Sequence, residues 1–124
     1  MKRIYIAGSL SPKGARPDCS NGAIEYLFNV RDMIHAAVLL IRKGWAPFCP
    51  ALDILYFLYL PPGEQIEERT IMDVSLAWLQ ASDAILMLPR WMLSAGSCAE
   101  HEEAQARGIS IYYHIDEVPG HSDA

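Results

Sequence analysis

A hydroxyl, a glycine and a carboxylate lie close together where an apolar run of the chain gives way to a stretch with helical periodicity. Ser94 can cap this helix through its hydroxyl group, and Gly96 lets a ligand approach the backbone closely. Glu100 follows Gly96 by four residues, about one helical turn. A glycine-containing turn at a helix N-terminus suits an anion, and a carboxylate beyond it can act as a nucleophile or base. The segment predicts an active site, although acidic residues also favour early helical turns for structural reasons.

A second group of candidate residues surrounds the end of the first apolar run. Gly8 and Ser9 directly follow Arg3–Ala7, a short run typical of a buried strand. Open α/β sheets bind ligands where the order of the strands reverses, which would bring Gly8 and Ser9 beside Ser94. A tight strand exit is the structural alternative. The hydroxyl of Tyr5 could orient a carboxylate there, or Tyr5 could be a core residue.

The remaining acids and the cysteines give weaker signals. Asp73 lies on a predicted helix beside apolar positions, where its carboxyl could serve as a general acid or simply face water. Asp83 is predicted to be a turn residue before the third strand. Cys98 and His101 are three residues apart without further ligand spacing, so we expect neither a metal nor a cofactor.

The elements that must position these residues alternate between strands and helices. The predicted strands are Arg3–Ala7, 45–50, 84–89 and 109–115, and the predicted helices are 22–43, 53–59, 64–81 and 96–107. Asp53 is expected to cap the second helix, a long loop spans 10–21, and residues 116–124 read as a loose tail. This alternation predicts right-handed crossovers and a parallel sheet in a single α/β domain.

The composition of the chain indicates which kinds of partner and which cellular compartment to expect. With 124 residues, 52% of them hydrophobic, the chain can bury one core. A formal net charge of −5 argues against a nucleic-acid polymer as the main partner. Three scattered cysteines favour a reducing cytoplasm, and no apolar run is long enough to span a membrane.

Several motifs resemble those of nucleoside 2-deoxyribosyltransferase-like proteins. Tyr5-Ile6-Ala7-Gly8-Ser9 is similar to the family's opening Tyr-Ile-Ala-Gly-Pro motif, and Leu76-Ala77-Trp78-Leu79-Gln80-Ala81-Ser82-Asp83 is similar to its later helix. Ser94-x-Gly96-x-x-x-Glu100 resembles the family's catalytic turn. Residues 29–31 and 44–50 also fit its small bacterial and phage branch of unknown function. The resemblance implies a three-layer, flavodoxin-like (Rossmann-like) fold with a four- to five-stranded parallel sheet.

The resemblance also implies an activity and a division of roles. The activity is cleavage of an N-glycosidic bond, or transfer of the 2-deoxyribosyl group, in a small nucleoside or nucleoside 5′-monophosphate. The glutamate at the position of Glu100 attacks C1′ of the sugar, with the family's tyrosine at Tyr5 beside it, and a serine at the position of Ser94 goes with 5′-monophosphates. The substrate-binding residues expected on this basis are Ala7, Gly8, Ser9, Ser94, Gly96 and Ser97. Relatives of this kind assemble, so we expect a homo-oligomer (dimer or tetramer).

One position departs from the family pattern. The family carries an aspartate eight residues before the position of Asp83, whereas this chain has Ser75 there. Asp73 lies two residues earlier, which turns it by about 200° around an ideal helix, and it is the best candidate for the missing acid. A non-catalytic nucleotide-binding or sensing module is therefore an alternative, and a structural oligomer built on the apolar residues 56–60 is a third.

Overall fold

The structure is a computed structural model that describes residues 1–120. Its strands are β1 (Arg3–Ala7), β2 (Ala46–Phe48), β3 (Ala84–Met87) and β4 (Ser110–Tyr112). Its helices are α1 (Gly22–Arg42), α2 (Ile54–Leu58), α3 (Glu68–Gln80) and α4 (Ala95–Arg107). Single 3₁₀ turns cover Pro50–Asp53, Trp91–Leu93 and Ile115–Glu117.

The strands described here form one parallel sheet in the order β2-β1-β3-β4. Tyr5 in β1 is in register with Phe48 of β2 on one side and with Ile85 of β3 on the other. This is the flavodoxin-like order, and the direction of the crossovers changes between β1 and β3. The sequence-based prediction of a parallel α/β fold is therefore confirmed, with four strands.

Helices cover both faces of the sheet, which gives three layers. Ile4 and Ile6 face the core cluster that includes residues of α1. Tyr5 and Ala7 face the opposite core cluster, to which α3 contributes Leu79 and α4 contributes Ala104. Successive side chains of a strand point to opposite faces, so a strand buried on both sides needs an unbroken apolar run.

Several boundaries differ from the predicted ones, and two of the differences have identifiable reasons. Helix α3 begins at Glu68 rather than at residue 64, because Glu67 keeps an extended backbone conformation. Strand β4 ends at Tyr112, whereas the alternating pattern runs to residue 115. Its ladder with β3 ends at the pair Leu86 and Tyr112, so the following residues have no strand beside them.

The predicted loose tail is wrong over residues 116–119, while residues 121–124 lie outside the described part of the chain. Val118 is only 1% exposed, in the core cluster on the α1 face. The Trp45 indole N–H donates a hydrogen bond to the carbonyl of Pro119 at 2.7 Å. The Lys43 ammonium donates to the carbonyl of Val118 at 3.0 Å. A buried indole N–H needs an acceptor, and the end of the chain supplies it.

Across residues 1–120, none of the helices has the length and apolar character needed to cross a lipid bilayer.

Candidate active site

Strands β1 and β3 end side by side, with their backbones in close contact. The Leu88 N–H donates a hydrogen bond to the Ala7 carbonyl at 2.8 Å. A Cβ atom added to Gly8 would lie 3.0 Å from the Cβ of Leu88 and 3.1 Å from its Cδ1. Glycine at this position therefore lets the two strand ends approach each other, as expected at the edge of the sheet where ligands bind.

Helix α4 begins beside these strand ends. The Ser94 hydroxyl caps the helix and accepts a hydrogen bond from the Ser97 N–H at 3.2 Å. Ser97 itself is 1% exposed, and its hydroxyl has no hydrogen-bond partner among the described residues. A buried polar group without a partner is unusual and calls for an explanation, such as a ligand that completes the site.

A cleft of about 630 Å³ lies between these strand ends and helices α2, α3 and α4. The predicted site residues that line it are Tyr5, Gly8, Asp73, Ser94, Gly96, Ser97 and Glu100. Its volume is within the range of pockets that hold small organic ligands. The fold thus brings together in one cleft most of the residues that the sequence singled out.

Tyr5 and Glu100 lie next to each other in this cleft. Tyr5 is 1% exposed, and burial together with the nearby Glu100 carboxylate raises the pKa of its hydroxyl. Burial raises the pKa of Glu100 to about 7, and a hydrogen bond with Tyr5 acts in the opposite direction. Near neutral pH, Glu100 can therefore carry or release a proton, and Tyr5 remains a hydrogen-bond donor to its carboxylate.

Asp53 is a residue of this cleft that the sequence did not single out as functional. It was predicted to cap α2, but its side chain makes no capping hydrogen bond. Instead, the Ser75 hydroxyl of α3 donates to Oδ2 of Asp53 at 3.2 Å. Burial raises the pKa of Asp53, while the hydrogen bond from Ser75 works against this shift. The contact joins residues 22 positions apart, so no local pattern could have indicated it.

Three predicted residues occupy less central positions. Asp73 lines the cleft but is exposed to solvent. Ala7 is buried in the core on the α3 and α4 face and does not line the cleft. Ser9 lines a separate cavity of about 270 Å³, and its hydroxyl donates to the Ser11 carbonyl at 3.2 Å. The structure therefore does not bring the side chains of Ala7 and Ser9 to the Glu100 cleft.

The loop between β1 and α1 supplies the cleft with a cation and is itself held against α1. Lys13 lines the cleft. The carboxylate of Glu25, a buried residue of α1, accepts hydrogen bonds from the backbone N–H groups of Lys13 and Gly14. The Asn29 side chain donates to the carbonyl of Leu10 at 3.0 Å. These contacts fix the backbone from which the Lys13 side chain extends.

Most of the ionisable side chains that line the cleft are acidic. Among its described lining residues Lys13 is the single cationic side chain. The carboxyl groups that line it belong to Asp53, Glu68, Asp73, Glu100 and Glu103. An anionic part of a ligand is therefore favoured only near Lys13 and the N-terminus of α4, where backbone N–H groups point outward.

Asp83 and His101, which the sequence analysis also considered, make structural contacts. The Asp83 carboxylate accepts a hydrogen bond from the Arg3 N–H at 2.8 Å, which ties the turn before β3 to the start of β1. His101 lies 2.7 Å from the Tyr113 hydroxyl and stacks on Trp91. In residues 1–120 no three His, Cys, Asp or Glu side chains converge as metal ligands would.

Comparison with known proteins gives a family and a similar fold but no established activity. A family described as "Domain of unknown function (DUF4406)" matches residues 2–113. No protein of curated function matches the chain. The crystal structure of a conserved protein from Enterococcus faecalis V583 has a similar fold, with a TM-score of 0.56 and 20% sequence identity. The match covers 90% of this chain but 61% of that one, so this chain spans less than two thirds of that protein's length.

Proposed function

The chain belongs to the DUF4406 family, a domain of unknown function, and from its cleft we propose that it cleaves an N-glycosidic bond in a nucleoside 5′-monophosphate. Glu100 is the nucleophile in this proposal, and the sugar passes to water or to a second base. The observation that carries the proposal is the position of Glu100. Its carboxyl lines the cleft in contact with Tyr5, three residues beyond the unpartnered hydroxyl of Ser97.

The charge that develops during glycosidic cleavage suits this arrangement. Positive charge builds on the sugar as the bond to the base breaks, so a nearby carboxylate stabilises the transition state and can bond to C1′. Tyr5 interacts with Glu100 and can hold the attacking oxygen in one orientation. A partly buried carboxylate is also less solvated, which makes it a better nucleophile than one in water.

The phosphate is assigned to the N-terminus of α4. Ser97 offers a buried hydroxyl, and Ser94 and Gly96 line the same wall of the cleft. Lys13 adds a positive charge to the same cleft from the loop between β1 and α1. Helix N-termini bind phosphate groups through free backbone N–H groups, and the surrounding carboxylates disfavour an anion elsewhere.

Release of free base tests the activity. The purified protein is incubated with a panel of deoxynucleoside and nucleoside 5′-monophosphates, and free base is measured by chromatography. We expect release from at least one nucleotide and its loss in Glu100→Gln, which keeps the size of the side chain. Glu102→Gln, an exposed neighbour on α4, is the matched control and should retain activity. Equal release by Glu100→Gln and the unaltered protein would exclude Glu100 as the nucleophile.

The pH dependence follows from the pKa of Glu100. The nucleophile must be ionised, and its pKa lies at about 7. The value of kcat/KM should therefore rise as the pH increases through about 7 and be low at pH 5. A flat profile between pH 5 and pH 8 would contradict this role.

A non-catalytic nucleotide-binding or sensing module is the second candidate. The observation that favours it is Ser75, which stands where the resembled family has an aspartate. Calorimetry with the same panel separates the two candidates. Tight binding of a nucleotide with no base release under any condition would favour the binding module.

We also propose that a second copy of this chain covers the apolar surface beside the cleft. Leu55, Tyr56, Phe57, Leu58 and Tyr59 are all exposed large side chains in or next to α2. Large contiguous apolar patches mark interaction sites. A homodimer or a larger homo-oligomer would remove this surface from water.

A further inference from the structure

Four side chains from four separate elements meet on one wall of the cleft. Tyr5 comes from β1, Asp53 from the turn after β2, Ser75 from α3 and Glu100 from α4. Ser75 donates to Asp53 at 3.2 Å, and Tyr5 interacts with both Ser75 and Glu100 through side-chain hydrogen bonds. Each of the two carboxyl groups therefore has a hydroxyl group of another element beside it.

The surroundings of Asp53 differ from those of the other aspartate in the cleft. Asp53 is half-buried and engaged with Ser75, whereas Asp73 is exposed. Burial disfavours the charged form of a carboxyl group, so it favours keeping a proton on Asp53. A carboxyl group that holds a proton beside a nucleophilic carboxylate has the properties of a general acid.

We propose that Asp53 is the second catalytic carboxyl of this site and donates a proton to the leaving base while Glu100 attacks C1′. This inference rests on the function proposed above. Asp53 belongs to a different element from both Asp73 and Ser75, so this chain would supply its acid from the turn after β2 rather than from α3.

The reaction balances with one proton, which Asp53 holds. In the reactive form Glu100 is ionised and Asp53 is protonated. The Glu100 oxygen bonds to C1′, the C1′–N bond breaks with its electron pair remaining on the base, and the Asp53 proton passes to the base. Water then attacks C1′, Asp53 takes its proton, and Glu100 leaves as a carboxylate. The products are the free base and the sugar phosphate.

Two hydroxyl groups hold the two acids of this wall. Tyr5 interacts with Glu100, and Ser75 donates to Asp53 at 3.2 Å. The titratable or charged groups around Asp53 in this part of the cleft are Tyr5, Lys13, Tyr26, Cys49, Glu68, Asp73, Glu100 and Glu103.

Two substrates that differ in their need for an acid test the proposal. 2′-Deoxyguanosine 5′-monophosphate needs a proton on its leaving base, whereas the N7-methylated form already carries a positive charge there. We expect Asp53→Asn to lower base release from the unmethylated nucleotide by about 100-fold or more, and from the methylated one by less than about 5-fold. Asp116→Asn, on the exposed turn after β4, is the control for an aspartate outside the cleft.

Ser75→Ala provides a second variant in which Asp53 itself is kept. Loss of the Ser75 hydrogen bond removes an interaction that lowers the pKa of Asp53. Asp53 should then hold its proton to higher pH, and the falling limb of the kcat/KM profile should move to higher pH. Circular dichroism of each variant confirms that it is folded.

Three outcomes would overturn the proposal. Base release by Asp53→Asn equal to that of the unaltered protein would remove Asp53 and leave the proposed function intact. Equal losses on both nucleotides would mean a structural role for Asp53. If the unaltered protein releases base from neither nucleotide nor from any other in the panel, the proposed function itself fails and this inference with it.

Discussion

In the free protein the hydroxyl of Ser97 is buried without a hydrogen-bond partner in residues 1–120. Leaving such a group unsatisfied costs about 1–3 kcal/mol of folding free energy. A ligand oxygen that accepts a hydrogen bond from it would recover this energy only in the bound state. The residue therefore has opposite effects on the stability of the free protein and on its affinity for an anion.

Ser97→Ala separates these two effects. We expect it to weaken the binding of a nucleoside 5′-monophosphate by about 10- to 100-fold, the value of one hydrogen bond to a charged group. Binding of the corresponding nucleoside should not change, and the Tm of the free protein should stay equal or rise. Calorimetry and thermal denaturation measure these quantities.

Ser110→Ala, on the exposed edge strand β4, is the matched control and should affect neither measurement. A lower Tm for Ser97→Ala would mean that the hydroxyl has a partner in the folded protein. An equal loss of affinity for the nucleotide and the nucleoside would remove the assignment of the phosphate to α4.

At the scale of the elements, the segment after β4 is bound to the end of α1. Val118 is buried, Lys43 and Trp45 donate hydrogen bonds to the carbonyls of Val118 and Pro119, and a 3₁₀ turn lies just before them. These contacts join positions more than 70 residues apart. Val118 is thus part of the hydrophobic core, and two backbone carbonyls fix the segment around it.

Val118→Ala should lower the free energy of unfolding by about 2 kcal/mol, because two buried methyl groups are lost and a cavity remains. Urea unfolding measures this change. Asp116→Ala, whose side chain is largely exposed two residues earlier, should change it by less than about 0.5 kcal/mol. A Val118→Ala protein as stable as the original would show that this segment does not contribute to the core.

The sequence predicted elements well where a local pattern was sufficient. Strand β1 has its predicted bounds, α1 and α4 differ by one residue at one end, and the Ser94 cap is confirmed. It failed where the determining contact is distant. Asp53 was predicted to be a helix cap because it directly precedes an apolar helical run. Its actual partner, Ser75, lies 22 residues away in α3. The residues next to Asp53 in the sequence do not indicate that α3 packs nearby and forms a cleft there.

At the scale of the whole molecule, large apolar side chains remain on the surface formed by α2 and α3. The most exposed around α2 are Leu58 at 66% and Tyr59 at 81%, and Met72 and Trp78 of α3 are exposed as well. This surface borders the cleft, since Phe57 and Met72 also line it. An assembly through this face would bring a second chain close to the candidate active site.

Leu58→Asp tests this assembly, because a charge at a buried apolar interface is strongly unfavourable. We expect the unaltered protein to sediment as a dimer or a larger species and Leu58→Asp to shift the distribution toward the monomer. Met92→Asp, at an equally exposed methionine in the turn before α4, should not change the distribution. A monomer for the unaltered protein at working concentrations would exclude the assembly.

The attachment of the β1–α1 loop to α1 has a consequence for the thermodynamics of ligand recognition. Glu25 and Asn29 already hold the loop backbone that carries Lys13, so its conformational entropy is lost during folding and not during binding. A ligand then meets a loop backbone that is already ordered, and within this loop the Lys13 side chain must still be immobilised. Association should accordingly proceed in one kinetic phase whose rate increases linearly with ligand concentration, without the plateau that a slow loop closure would impose.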